Sequence, residues 1–309
     1  MGSFKSLKSW KGRRSDEGMK TIKILQNQNK LYNEVTSNAS YTGLKEEFSI
    51  RVVLSGNERY RIHNKDLVVY PGNFLVINEG TVFNREIYSD VPANVFSILF
   101  SPQFIKEFHR NYTESDKALL DDPFNLNCNS IPTFLETLYP FSGDMMFNLL
   151  HLKNHYDSGH HNEMLINEYV YYCLDNFYRL YSQEILAKRD KLKVSNKTFR
   201  IELFKRLNSA KDFMLSNYNQ PITIEDVSRH ACLSEIHFYR TFKQTYNCSP
   251  HQYLMQSRLN NARHMLKTTG YTVSEIVNLI GFDNVSSFIR LFRERFGNTP
   301  GSYRSKIVA

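Results

Sequence analysis

ITIEDVSRHACLSEIHFYRTFKQTYNCSPHQY, from Ile222 to Tyr253, and YTVSEIVNLIGFDNVSSFIRLFRERFGNTPGSY, from Tyr271 to Tyr303, are one pattern written twice. Thr223 aligns with Thr272, Asp226 with Glu275, Val227 with Ile276 and Leu233 with Phe282, each pair 49 positions apart. One added residue in a turn then makes the offset 50. Phe238 meets Phe288, Arg240 meets Arg290, Phe242 meets Phe292, Pro250 meets Pro300 and Tyr253 meets Tyr303. So many matches at one offset mark a structural unit built twice.

Each unit predicts a short helix, a tight turn and a second helix. Thr223 offers an N-cap with Asp226 three positions on, Thr272 and Glu275 make a capping box, and Ser234 and Asn284 or Asp283 open the second helices. Phe238 and Phe242, and Phe288, Phe292 and Phe296, recur every four residues and face a core. This is the helix-turn-helix plan, whose second helix enters the major groove of DNA. Between the units, Ser249 as N-cap, Pro250 at the first helical position and Gly270 past the end bound a bridging helix from Pro250 to Thr268. At 1.5 Å per residue it spans about 28 Å, which suits two recognition helices on successive major grooves about 34 Å apart.

On a helix beginning at Ser234, the side chains of Ile236, His237, Tyr239 and Arg240 point away from the Phe238/Phe242 stripe. Val285, Ser286, Ser287, Ile289 and Arg290 do so on the second. With Ser234, Lys243 and Asn284 these are the candidate DNA-binding residues. An arginine there can grip guanine O6 and N7 or hold a phosphate, whereas Ile236 and Ile289 can touch only thymine methyls or shape.

LSEIHFYRTFK, the SPHQYL-R-A bridge and GFDNVSSFIRLFRERFGNTPGSYR resemble the DNA-binding domain of the AraC/XylS family of transcriptional regulators. The likeness runs from near Leu203 to the end. It implies that the outward positions of both recognition helices sit in the groove of double-stranded promoter or operator DNA. It also implies RNA polymerase as a partner where such a regulator activates. Ile236 and Ile289 depart from the polar side chains such helices often expose, which bears on the sequence read and not on the fold.

With 309 residues and 41% hydrophobic composition the chain has room for two domains with cores of their own, and no 18-residue apolar run predicts a membrane span. Residues 201–309 hold 14 Lys and Arg against 8 Asp and Glu, most of the chain's net charge of +8, as a phosphate-binding surface requires. Cys128, Cys173, Cys232 and Cys248 show no CxxC or metal spacing, and Cys173 and Cys232 read as buried, reduced thiols of a cytoplasmic protein. Residues 1–19 are polar and basic, with Arg13-Arg14 but no apolar h-region, and read as a flexible N-terminus that supports no export. Met1-Gly2 with Ser6 matches the short myristoylation pattern, outweighed by an ordinary start.

Upstream the period changes to two. Phe48, Ile50, Val52 and Leu54 alternate, Ser55-Gly56-Asn57 turns, Tyr60 and Ile62 alternate, Asn64-Lys65-Asp66 turns, and Leu67 and Val69 alternate. Pro71-Gly72-Asn73 turns again before strands Phe74–Ile77, Asn84–Tyr88 and Val95–Phe100. Short strands at about ten-residue spacing predict an antiparallel barrel or jelly roll. The pattern, with PGNFLVIN as its turn and strand, resembles the cupin-like sensory domain that often precedes this DNA-binding domain. The expected architecture is α+β and multidomain: a cupin-like sensory and dimerisation domain over 20–186 with a helical second half, a linker over 187–200, and an all-α tandem helix-turn-helix domain over 201–309.

His63 stands alone in the barrel segment, without the HxH pair and further Glu and His that hold a metal in cupin enzymes, so no metal or cofactor is expected. Arg51, Tyr60, Arg61 and His63 are candidates to line an effector pocket, against an outward, half-exposed reading of the same residues. Pro102 to about Lys193 is helical in pattern. Ile166, Val170, Cys173, Phe177 and Leu180, spaced 4, 3, 4, 3, form a seam that either pairs with a second copy in a homodimer or covers the chain's own barrel. His151 and His155 with His160, His161 and Glu163 could hold a metal, but read better as solvated imidazoles. No clustered nucleophile, metal set or paired carboxylates supports an enzyme. The expected function is a sequence-specific DNA-binding regulator controlled by a small molecule in the barrel, the alternative being control by a protein partner or, less so, a metal-free cupin enzyme tethered to DNA.

Overall fold

A computed structural model describes residues 18–121, 132–159 and 162–308, and these fall into two compact units that divide between Phe177 and Tyr178. Residues 1–17, which carry the arginine pair and the myristoylation match, lie outside the described residues, as do Cys128, His160 and His161.

The first unit is a nearly closed antiparallel barrel. Its strands are β1 (Met19–Ile24), β2 (Lys30–Lys45), β3 (Ser49–Ser55), β4 (Glu58–Ile62), β5 (Lys65–Val69), β6 (Asn73–Ile77), β7 (Val82–Leu99) and β8 (Leu138–Pro140). They pair in the order β1-β2-β7-β3-β6-β8, with β4 joined to β5 and to β7. β7 is the hub: its first arm pairs with β2 and β4, its second with β2 and β3. The expected strands over Asn84–Tyr88 and Val95–Phe100 are these two arms of one strand. The register against β2 jumps from Thr36↔Ala93 to Asn38↔Tyr88, so the extra residues bulge out and bend the strand. Three further expectations are corrected. β1 and β2 lie upstream of Phe48, where no strands were expected. The β4–β5 turn is His63-Asn64, and Lys65 already opens β5. β8 interrupts the stretch read as wholly helical because Leu138 and Tyr139, both buried, pair with β6.

Helices α1 (Pro102–Thr113), α2 (Asp116–Asp121), α3 (Gly143–Asp157) and α4 (Glu163–Arg179) follow. Ile166, Val170, Cys173 and Phe177 are fully buried. Phe177 packs its ring against Phe134 at 4.9 Å, Tyr139 at 5.4 Å, Phe48 at 5.9 Å and Phe74 at 6.3 Å, all within the first unit. The seam therefore covers its own barrel and is not a free dimer interface. Leu180, half-buried, opens a π-helical stretch, Leu180–Leu186, that runs into α5 (Ala187–Asp190). Of the stretch read as a linker, only 191–196 is non-helical, and Leu192 within it is buried.

The rest of the second unit is helical: α6 (Lys197–Ser216), α7 (Ile224–His230), α8 (Glu235–Tyr246), α9 (Pro250–Thr268), α10 (Val273–Leu279), α11 (Val285–Phe296) and α12 (Pro300–Val308). Among the described residues, no helix is long and apolar enough to cross a membrane.

Candidate functional site

The two hairpins, α7–α8 and α10–α11, are set by local chemistry. The Thr223 hydroxyl accepts from the Asp226 amide at 3.1 Å while the Asp226 carboxylate accepts from the Thr223 amide at 2.9 Å. Thr272 and Glu275 repeat this box at 3.2 and 2.6 Å, and Ser249 with Gln252 does so at the start of α9 at 3.2 and 2.9 Å. Ser234 caps α8 by accepting from the His237 amide, and Asn284 caps α11 by accepting from Ser287 at 3.1 Å. The second helix of each hairpin is fixed by two buried phenylalanines, Phe238 with Phe242 at 5.3 Å and Phe288 with Phe292 at 5.5 Å. The opposite faces are left outward. On α8 Ile236, Tyr239, Arg240 and Lys243 are exposed with Ser234 at the cap, and His237 is half-buried. On α11 Val285, Ser286, Ser287 and Arg290 are exposed with Asn284, and Ile289 is half-buried. Arg290 keeps only a loose contact, 3.9 Å, with Glu294, so its guanidinium is available.

Arg258, a buried cation on α9 and the arginine of the SPHQYL-R-A bridge, ties this arrangement together, a role not read from sequence. Its Nε donates to the Tyr218 carbonyl at 2.7 Å and its Nη2 to Gln220 at 2.9 Å, fixing the turn between α6 and α7 to the bridge. Gly281, in the turn of the second hairpin at φ 74°, comes so close to this turn that a Cβ would stand 2.8 Å from the Asn219 carbonyl oxygen. Its counterpart in the first hairpin is Cys232, which is exposed and not buried as expected.

The barrel holds a cavity of about 840 Å³, lined by Lys20, Ile22, Tyr32, Leu44, Glu46 and Arg51 among others and backed by Arg85. Strand register explains how its polar wall arises. Arg85 stands directly opposite Tyr41 on one neighbouring strand and Tyr60 on the other, and Ser97 stands between Arg51 and Tyr32. Directly opposed residues share a face, so these groups line one surface. Arg85 donates to Glu58 at 2.6 Å and to Glu34 at 2.7 Å, and also to the Tyr32 hydroxyl. Tyr41 donates to Glu34 at 2.6 Å, Tyr60 to Glu58, and Arg51 to Glu46. Burial alone would push the Glu34 carboxyl up, but Arg85 and the two phenols hold it below its usual range. Burial and the bond to Glu34 push the Tyr41 phenol up to about 12, and burial pushes that of Tyr32 higher still. Burial lowers the Lys20 ammonium.

Two family models match the chain, one described as an AraC-like ligand binding domain over residues 40–174 and one as a helix-turn-helix domain over 227–306. The chain belongs to the AraC family of transcriptional regulators. Its relatives include the HTH-type transcriptional regulator ArgR of Pseudomonas aeruginosa, 33% identical over 40% of this chain and 40% of that protein. The lactose operon transcription activator of Staphylococcus xylosus is 28% identical over 48% of this chain and 49% of its own. The raffinose operon transcriptional regulatory protein RafR of Pediococcus pentosaceus is 24% identical over 87% and 90%. The chain thus spans less than half the length of the first two relatives, and most of the third.

Within this AraC-family frame, the four residues expected to line the effector pocket separate. Arg51 lines the cavity, and Tyr60 lies behind it with its ring 5.9 Å from the Arg51 guanidinium. Arg61 points outward to Asp66 at 2.8 Å, and His63 stands exposed in the β4–β5 turn, 3.3 Å from Glu136. The outward face of the short β4 ribbon accounts for both. Tyr32, Glu34 and Arg85 were missed, although Tyr32, Glu34 and Thr36 alternate along β2 with the period of a strand. His151 and His155 both stack on the Tyr169 ring, at 5.8 and 5.6 Å. Among the described residues no three His, Cys, Asp or Glu side chains cluster as metal ligands would.

Proposed function

We propose that the protein is a sequence-specific, DNA-binding regulator of transcription that reads operator DNA with the outward faces of α8 and α11. The observation that carries this reading is the doubled hairpin, with capped recognition helices of the same build held at one spacing by α9. Arg240 and Arg290 are the side chains able to pair bidentately with guanine, a contact worth about 1–3 kcal/mol of discrimination. Ser234, Ile236, His237, Tyr239, Lys243, Asn284, Val285, Ser286, Ser287 and Ile289 complete the proposed contact set. Selection of bound sequences from a random pool tests it. Arg240→Ala should relax preference at one or two positions, and a pool that yields no enriched motif with wild type would overturn the reading.

The effector proposed for the barrel is an uncharged, hydroxyl-rich small molecule. Arg51 is matched by Glu46, Arg85 by Glu34 and Glu58, and Lys30 by Glu47, so these cations favour a ligand that takes hydrogen bonds without breaking their pairs; Lys20 and Lys45 line the cavity beside them. Relatives named for lactose and raffinose operons support the same class. Thermal unfolding with neutral di- and trisaccharides against sugar acids and sugar phosphates tests it, since only a binding ligand raises the midpoint. A shift with the anionic set alone would refute it.

The same reading makes the protein a cytoplasmic homodimer without catalytic activity that contacts RNA polymerase where it activates. With the α4 seam buried, Phe147, Leu150 and Tyr171, exposed on α3 and α4, are the surface proposed for a second copy. Sedimentation at micromolar concentration tests this, a monomer being the contrary result.

A further inference from the structure

The stretch from Lys188 to Arg206 carries eight Lys and Arg against Asp190 and Glu202. Such a run is ordinarily a solvated tether. Here it is held in place. Leu192 is 2% exposed, and the Val194 carbonyl accepts from Arg200 Nε at 3.0 Å and Nη2 at 2.6 Å. The Lys191 carbonyl accepts from Gln244 Nε2 at 2.5 Å.

Gln244 lies on α8 four residues past Arg240 and eight past Ile236, so it continues the column of side chains that faces outward. The loop is thus docked at the C-terminal end of that column. In a helix-turn-helix the N-terminal residues of the recognition helix meet base edges, and its far end leaves the groove toward the sugar-phosphate rim.

Of the eight cations, Arg200 is held by the Val194 carbonyl and lies 3.9 Å from Asp190, Lys205 is exposed further along α6, and the other six sort into two groups. Lys188 pairs with Glu184 at 3.2 Å, Arg189 with Asp190 at 2.9 Å and Arg206 with Glu202 at 3.1 Å. Lys191, Lys193 and Lys197 are exposed and have no carboxylate partner among the described residues. Three unneutralised ammonium groups, two on an ordered loop and one on the first residue of α6, repel one another, and an anionic partner relieves that repulsion.

We infer that Lys191, Lys193 and Lys197 form a clamp on the phosphates bordering the groove read by α8, extending the DNA contact beyond the two hairpins. This rests on the DNA-binding reading above. The loop supplies affinity without reading sequence, because phosphate contacts position a protein and carry no base information.

The test is a salt series of fluorescence anisotropy with the full chain and a mixed-sequence duplex of about 40 base pairs, roughly twice the length of two adjacent groove sites. The triple variant Lys191→Ala, Lys193→Ala, Lys197→Ala should flatten the slope of log affinity against log salt by about 2 to 3, near 0.9 per phosphate contact, and weaken binding at least about tenfold at about 0.1 M salt. A control that removes the same charge from the barrel unit, Lys65→Ala, Lys106→Ala, Lys117→Ala, should leave the slope as it was. An unchanged slope in the first variant, or an equal fall in the control, overturns the clamp while leaving DNA binding intact. Wild type that shows no salt-dependent binding overturns the DNA-binding reading, and the clamp with it.

Discussion

Cys232 and Gly281 occupy the same left-handed backbone position in the turns of the two hairpins, at φ 53° and 74°. A glycine sits there without strain, whereas a side chain costs roughly 1–2 kcal/mol, partly offset because glycine leaves the unfolded chain freer. Cys232→Gly is therefore expected to leave stability unchanged or raise it by up to about 1 kcal/mol. Gly281→Ala adds steric contact with Asn219 to the same strain and should cost about 2 kcal/mol or more. Urea denaturation of the two variants measures both signs, and a loss on Cys232→Gly would refute the strain argument.

Arg258 makes two bonds from a buried guanidinium to the carbonyls of Tyr218 and Gln220. Arg258→Met keeps much of the packing and orphans both oxygens, for an expected loss of about 2–4 kcal/mol. Arg258→Lys should rescue little, because one ammonium does not reproduce the planar fork. Full recovery of the denaturation midpoint by lysine would show that charge alone suffices.

Phe177 fills the middle of the barrel's aromatic cluster. Phe177→Ala should cost about 3–5 kcal/mol, and Phe177→Glu should remove the barrel's share of the near-ultraviolet circular dichroism as the barrel loses its packing. A soluble, well-folded monomer from Phe177→Glu would instead restore the seam as an interface between chains.

The Glu34 carboxyl is held below its ordinary value of 4.5, so its contribution to stability is complete above that value and lost as pH falls through the lower folded value. Wild type should be insensitive to this group from pH 7 to about 5 and weaken on further acidification. In Arg85→Met, Glu34 and Glu58 are buried without their cation, a loss of about 3–5 kcal/mol, and lowering pH should then stabilise the variant. At the alkaline end the sign reverses: Tyr41, pushed up to about 12 from 10.0, favours the fold below the ordinary value and ceases to as pH rises through the folded one. Phenolate absorbance should show a step near 12 that Tyr41→Phe removes.

The hairpins were legible because everything that makes them is local. Caps, phenylalanines four apart and the bounding Pro250 and Gly270 lie within one helix of each other, and a second copy confirms each choice. β2 was not, since the residues it turns to the cavity include Tyr32 and Glu34, which are held by Arg85, about fifty positions away in the chain. A hydrophobic alternation hides when the face it would mark is a polar cavity wall. The seam from Ile166 to Phe177 was legible as a stripe, but a stripe does not name what it covers. Only the rings of Phe48, Phe74, Phe134 and Tyr139 around Phe177 decide that. Arg258 stood in the SPHQYL-R-A motif, but its role was not legible, because its partners are backbone carbonyls that no side-chain pattern announces.

The bridging helix α9 is 19 residues long, boxed at its start and locked to the preceding turn by Arg258. Such a strut resists stretching and twisting, so α8 and α11, reading DNA as proposed, would work as a fixed caliper. On the DNA side this sets a grammar of phase. Inserting or deleting about half a helical turn, some five base pairs, between the two boxes of an operator carries the second box to the opposite side of the duplex. No base change inside either box should be as damaging as that shift of register.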